Sequence, residues 1–126
     1  MADAWSSSLV VAASAARTTT FTSADLAVNY ASEIDVILDA TVNAGGSGSI
    51  TVTINGKDPA SGKYYLLLSG AAVVTVTTNV YKVGRGLPVT GNVSANCGIP
   101  NIIQVVVTAN NANPVTWSLG MNQISG

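Results

Sequence analysis

The stretch from Ser49 to Gly70, Ser-Ile-Thr-Val-Thr-Ile-Asn-Gly-Lys-Asp-Pro-Ala-Ser-Gly-Lys-Tyr-Tyr-Leu-Leu-Leu-Ser-Gly, constrains the fold of this chain more than any other. Ile50, Val52 and Ile54 alternate with Thr51 and Thr53. That period of two turns one side of a strand to a core and the other to water. Tyr64 to Leu68 form a second β-prone run. Between the runs, Asn55-Gly56 and Asp58-Pro59-Ala60-Ser61-Gly62 tolerate positive φ, fix φ, or bond to their own backbone. The spacing predicts a β-hairpin with a polar tip over Asn55 to Lys63.

The rest of the chain has the same character. From Glu33 to Asn43, Ile34, Val36, Leu38, Ala40 and Val42 take one face, and Glu33, Asp35, Asp39 and Thr41 take the other, with Ile37 as the exception. Ala44-Gly45-Gly46-Ser47-Gly48 links this strand to the hairpin. Arg17 to Thr22 is rich in Thr and ends near Phe21, so it is expected as a strand. Ser23 to Ala31 is too short for more than a helical turn. Ala72 to Thr78 and Val80 to Val83 are β-branched runs with a bulge or turn expected at Asn79. Gly84-Arg85-Gly86-Leu87-Pro88 ends them, and Leu87 to Pro100 is mostly loop, with room for a short strand from Val93. Asn101 to Ala109 is apolar on both faces, as in a central or covered strand. Val115, Trp117, Leu119 and Met121 alternate with small polar residues in a last strand. Seven to eight strands without a convincing helix predict an antiparallel β-sandwich or jelly-roll-like fold.

The domain is expected over residues 17–126. Residues 1–16 are Ser- and Ala-rich, and read as an extended arm that spans roughly 50 Å if fully stretched and can reach a neighbouring subunit. A frayed terminus or a first edge strand suits the same residues.

Charge narrows the functional classes. Charged residues are only 9% of the 126, against roughly 25% in an ordinary soluble domain. Polarity must therefore come from 13 Ser, 13 Thr and 11 Asn. A net charge of −1 gives little colloidal repulsion, which suits a protein that lives inside an assembly. The basic residues Arg17, Lys57, Lys63, Lys82 and Arg85 are scattered, so no nucleic-acid footprint is expected. No apolar run approaches the roughly 20 residues of a membrane helix, so no membrane partner is expected. Leu9 to Ala16 with Ala13-Ser14-Ala15 has the look of a signal peptide, but Asp3 and the absence of Lys or Arg before it argue against one. The single Cys97 excludes an internal disulfide.

Catalytic chemistry is hard to assemble from these residues. There is no His, and Cys97 therefore lacks the imidazole that usually activates a thiol. It is expected as a buried or half-buried small residue. Asp35 and Asp39 share a strand face but stand roughly 13 Å apart by strand geometry, beyond the span of glycoside chemistry. Glu33, Asp35 and Asp39 are spread along one strand, so they are expected on a solvated face that deters edge aggregation and not around a calcium ion. Asn92-Val93-Ser94 fits a glycosylation sequon but has no secretion signal to give it meaning. The glycines near 45 and 84 do not follow a strand and open a helix, so no phosphate loop is expected. No catalytic, cofactor-binding or metal-binding residue is predicted, and no enzyme.

What remains are contact residues. Trp5, Leu9 and Val10 are the apolar features of the arm, Trp5, Tyr64, Tyr81 and Arg85 are of the types that anchor interfaces, and Lys82 and Arg85, close after Tyr81, are placed to meet acidic groups on a partner. Tyr64 and Tyr65 face opposite ways on a strand, so one is expected in the core and the other outside. Ordinary core packing or a solvated edge is the competing account for these positions.

The segments Ile54-Asn55-Gly56-Lys57-Asp58-Pro59-Ala60-Ser61-Gly62-Lys63-Tyr64-Tyr65, Leu68-Ser69-Gly70-Ala71-Ala72 and Pro114-Val115-Thr116-Trp117-Ser118-Leu119-Gly120, with Arg17-Thr18-Thr19-Thr20-Phe21-Thr22-Ser23-Ala24-Asp25 before them, resemble small virion proteins of tailed bacteriophages. The resemblance implies a non-enzymatic structural protein, a capsid decoration or cement protein on the outer surface of the major capsid protein lattice. It further implies self-association, often as a homotrimer, and location on the virion after synthesis in the host cytoplasm. A tail or head-tail adaptor component and a carbohydrate-binding sandwich on a fibre are the alternatives. No catalytic residue is carried over.

Overall fold

The computed structural model describes residues 5–28 and 31–125. Ten strands follow one another: β1 (Trp5–Arg17), β2 (Phe21–Thr22), β3 (Leu26–Ala27), β4 (Glu33–Asn43), β5 (Ile50–Lys57), β6 (Tyr64–Ser69), β7 (Thr78–Gly84), β8 (Ser94–Ala95), β9 (Ile102–Ala109) and β10 (Val115–Ser125). They form two sheets arranged as a sandwich, as the alternation predicts. The first sheet has the order β1-β10-β4-β7-β8, and the second has β2-β9-β5-β6 with β3 also paired to β9. All pairings are antiparallel except β7 with the two-residue β8.

Alternation decides which side chains meet between the sheets. Ile34, Val36, Leu38 and Ala40 of β4 and Val115, Trp117, Leu119 and Met121 of β10 come from one side. Ile50, Val52 and Ile54 of β5 and Ile103, Val105 and Val107 of β9 meet them from the other. All are buried in one core, and each large side chain is worth roughly 1.5–3 kcal/mol of transfer free energy. Val42, expected with the inner row, is exposed because β4 has passed a register shift against β10 and runs toward its end.

Against this core, Phe21 meets Trp117 edge-on with ring centroids 5.5 Å apart. The Arg17 guanidinium lies 4.0 Å from the Trp117 ring centroid and donates to the Trp117 carbonyl at 2.8 Å. The cation is thus held by a π face and by backbone oxygen.

The Ser49–Gly70 hairpin forms as β5 and β6. Its tip is ordered by Asp58, which accepts from Ala60 N and Ser61 Oγ, while Asp58 N donates to Lys63 O and Gly62 N to Asp58 O. Gly62 supplies the positive φ that this turn requires. Amides do elsewhere what charges do in other proteins. Asn43 bridges Gly48 and Val74, and Asn110 donates to Ser49 and Thr51.

Four expectations are corrected. Over its described part the arm is not free, because ten of the 13 residues of β1 pair along β10 and their backbone groups find ladder partners there. Arg17 to Thr22 is not one strand, since Arg17 closes β1 and only Phe21 and Thr22 pair with β9. Ala72 to Thr77 is mostly irregular, and Val73 alone bridges Ile50, whereas Asn79 sits in continuous register opposite Leu38. The short segment after Ser23 holds β3 in place of a helical turn, because Leu26 and Ala27 find a ladder partner in β9.

Candidate functional site

The two sheets turn outward faces of different chemistry to solvent. On the second sheet, Thr22, Val106, Thr53 and Ser69 stand in one cross-strand row, and Gln104, Asn55 and Leu66 in the next. At one end of this face the Lys57 ammonium lies 2.6 Å from Asp25 Oδ2, and the Tyr64 hydroxyl donates to Asp25 Oδ1. Lys57 and Tyr64 hold the Asp25 carboxyl below its usual range, and Asp25 in turn raises Lys57 and Tyr64. These three side chains clasp the hairpin to the β2–β3 connection.

On the first sheet the registers Val10↔Gly120, Gly120↔Ile37 and Ile37↔Val80 align four residues across β1, β10, β4 and β7. The row is an apolar stripe on the outside of the domain, with Val10 73% and Val80 40% exposed. Gly120 makes a shallow dip in it, because a Cβ there would meet nothing nearer than the Leu9 carbonyl at 3.9 Å. Beyond Val80 the apolar surface continues. Val74, Val80 and Val93, with Thr75, Thr77 and Asn79, line a cavity of about 270 Å³, and Asn79 Nδ2 is buried without a partner. Val76 and Val89 are also exposed on the loops that flank β7 and β8.

Beside the stripe runs a polar row, Ser8, Asn122, Asp35 and Lys82. Ser8 Oγ donates to Asn122 Oδ1 at 2.8 Å. Asp35 Oδ1 is closed off from solvent without a hydrogen-bond partner, although the residue as a whole is only partly buried. Burial is the main reason its pKa rises to about 6, the neighbouring Glu33 carboxylate adds to the rise, and Lys82 opposes it.

The residues singled out in the sequence do not converge on one place. Val10 and Lys82 share the outer face of the first sheet, while Tyr64 lies on the second sheet, held by Asp25. Leu9 lies opposite Met121 with its side chain on the inner side, yet it stays 42% exposed because β1 is the sheet edge. Tyr81 is a correction. It lies opposite Val36 on the inner face, is 4% exposed, and packs so closely on Gly70 that a Cβ there would come within 2.7 Å of its ring. Arg85 is exposed in the turn after β7, near Gly98. Trp5 begins β1, and its side chain lies outside the described residues. Tyr64 and Tyr65 are both exposed, against the expectation that one enters the core. The Tyr65 ring caps Gly56 and Pro100 at the end of the sandwich, where a Cβ on Gly56 would lie 2.7 Å from it.

Ile37, Gly120, Val80 and Asp25 do not stand out as contact residues in the sequence. One signal is present for Ile37, the apolar residue that breaks the wet side of the β4 alternation. Cys97 is half-buried against the core, and burial raises its thiol pKa, so thiolate is scarce at neutral pH. Among the described residues no group of three or more His, Cys, Asp or Glu is placed to hold a metal ion, and no helix is long and apolar enough to cross a membrane. Compared with known families, characterised proteins and solved structures, the chain matches none.

Proposed function

We propose that this chain is a non-enzymatic virion structural protein that decorates the outer surface of an assembled major capsid protein lattice and stabilises it. The observation that carries the reading is the outward apolar row Val10–Gly120–Ile37–Val80, exposed at Val10 and Val80 and half-buried between them, with the valines beyond it, in a chain only 9% charged. A monomer with such a surface gains by covering it. The resemblance of the hairpin and closing-strand motifs to small tailed-phage virion proteins supplies the kind of partner. The mechanism is mass action: a protein that binds only the assembled shell stabilises it in proportion to the binding free energy. Contacts to several subunits raise avidity without strong individual contacts.

Co-sedimentation with assembled shells of the encoding phage tests this. The protein should pellet with shells, Val80→Lys should bind at least tenfold more weakly, and Thr53→Lys on the other sheet should bind as the parent does. A parent protein that stays in the supernatant overturns the reading.

One feature favours a second reading, a carbohydrate-binding module on a fibre. Tyr65, Pro59, Ile99, Pro100 and Ile102 line a cleft of about 530 Å³ with Lys57 and Asn101. Exposed aromatic surface beside an amide and an ammonium suits a sugar ring. Glycan binding lost in Tyr65→Ala, with shells ignored, would select that reading.

A further inference from the structure

The first sheet ends on β1, a 13-residue edge strand whose two halves differ. Edge strands invite pairing by other chains unless they are short, bulged, charged or covered. The second half of β1 is guarded. Its register against β10 shifts between Val10 and Ala12 and again between Ala12 and Ala15. There the Arg17 guanidinium also takes up backbone oxygens, donating to Ala13 O at 2.7 Å and Ala15 O at 3.3 Å. The first half has no such protection. Ser6 to Val10 pair in unbroken register with Ile124 to Gly120, contain no charge and no proline, and are all exposed.

Among the described residues the other edges are poorer templates, and the part of β7 that β8 leaves uncovered, Thr78 to Tyr81, is only four residues long. β2, β3 and β8 have two residues each, and β6 has six, entered from the Lys63 side of the hairpin tip and broken in register between Ile54 and Asn55 of its partner strand.

We propose that Ser6 to Val10 pair antiparallel with the same segment of a second copy of this chain, joining the two first sheets across a two-fold axis. Three observations select a second copy over another occupant. A net charge of −1 on each copy opposes the approach very little. A self-pairing edge closes the assembly at two copies, whereas pairing onto a different edge would leave β1 free to propagate a fibre. The pairing also brings the apolar stripes of both copies, each of which reaches the edge at Val10, onto one continuous outer face.

Symmetry restricts the register. A two-fold axis perpendicular to the sheet keeps each side chain on its own face only if a residue lies opposite its own copy. Within the unguarded half, the register that uses all five residues from Ser6 to Val10 is centred on Ser8. Ser8 then faces the partner's Ser8, Ser6 faces the partner's Val10, and Ser7 faces the partner's Leu9.

Sedimentation and cross-linking of the full chain test the pairing. The parent should sediment as twice 12.7 kDa. In a Cys97→Ser background, Ser8→Cys should form a covalent dimer under mild oxidation, since opposed Cβ atoms lie about 4.5–5.5 Å apart. Ala16→Cys, on the guarded half, should not. Ser8→Lys opposes like charges and should weaken the dimer at least tenfold with an unchanged far-UV spectrum. A monomer, a trimer, equal cross-linking at both cysteines, or a dimer indifferent to Ser8→Lys would overturn the proposal. The pairing stands apart from shell binding: a dimer that ignores shells overturns only the proposed function, and a monomer that coats them overturns only the pairing.

Discussion

The outer faces of the two sheets differ although the same alternation builds both. On the second sheet the outward positions of β5 are Thr51, Thr53, Asn55 and Lys57, Leu66 of β6 is an isolated exposed apolar side chain among them, and the charges of Lys57 and Asp25 are satisfied within the chain by the clasp with Tyr64. On the first sheet the outward positions include Val10, Gly120, Ile37 and Val80, and Asp35 keeps one oxygen buried and unpaired beside them. A face whose polar groups are satisfied gains little from a partner. A face whose apolar row reaches solvent at Val10 and Val80 has something to gain.

Substitutions that probe this difference run from large effects to small. Trp117→Ala empties the core shared by both faces and should lower stability by about 3–5 kcal/mol in urea titrations, because the Arg17 guanidinium and the Phe21 ring would also be left without the indole they pack on. If the drop is small, the core does not hold the two sheets as described. Next, the first sheet should be the one that binds: Val80→Lys should cost at least tenfold in shell affinity, and Leu66→Lys on the second sheet should cost little, as pelleting assays would show. Equal losses would end the distinction between the faces.

Asp35 gives a smaller effect with a definite sign. Its folded pKa of about 6 lies above the ordinary carboxyl value, so the folded state holds the proton more tightly than the unfolded chain. Its contribution to stability is then greatest at about pH 4 and below, and falls as pH rises through 6, by about 1 kcal/mol once solvent screening at this partly exposed group is allowed for. Asp35→Asn should flatten that fall in denaturant midpoints measured across pH 4–7. A midpoint that climbs over this range in the parent would contradict the burial of Oδ1. Smallest of all, Asp25→Asn breaks an exposed clasp and should leave the melting temperature nearly unchanged, while the Tyr64 hydroxyl titrates at lower pH by ultraviolet absorbance.

Much of the sandwich was legible in single strands. The Glu33–Asn43 alternation, the two hairpin runs and the Val115–Met121 rhythm form where the pattern of two puts them, but the hairpin tip is shorter than the expected Asn55 to Lys63, because Asn55, Gly56 and Lys57 pair with Leu66, Tyr65 and Tyr64 and leave only Asp58 to Lys63 as the turn. The candidate face was not legible, because it runs across strands. Val10, Gly120, Ile37 and Val80 are far apart in the chain, and only pairing brings them into one row. Tyr81 illustrates the reverse error: an aromatic beside Lys82 suggests an interface, but strand parity turns it inward onto Gly70.

The β class, the main strands, the turn chemistry of the hairpin tip and the scarcity of charge are properties of the amino-acid order alone, because each depends on composition or on residues near one another in the chain. That residues 5–17 form an edge strand, and which outward residues become neighbours, was settled only by the folded sheets, because register is a relation between strands and one residue of slip would exchange their faces.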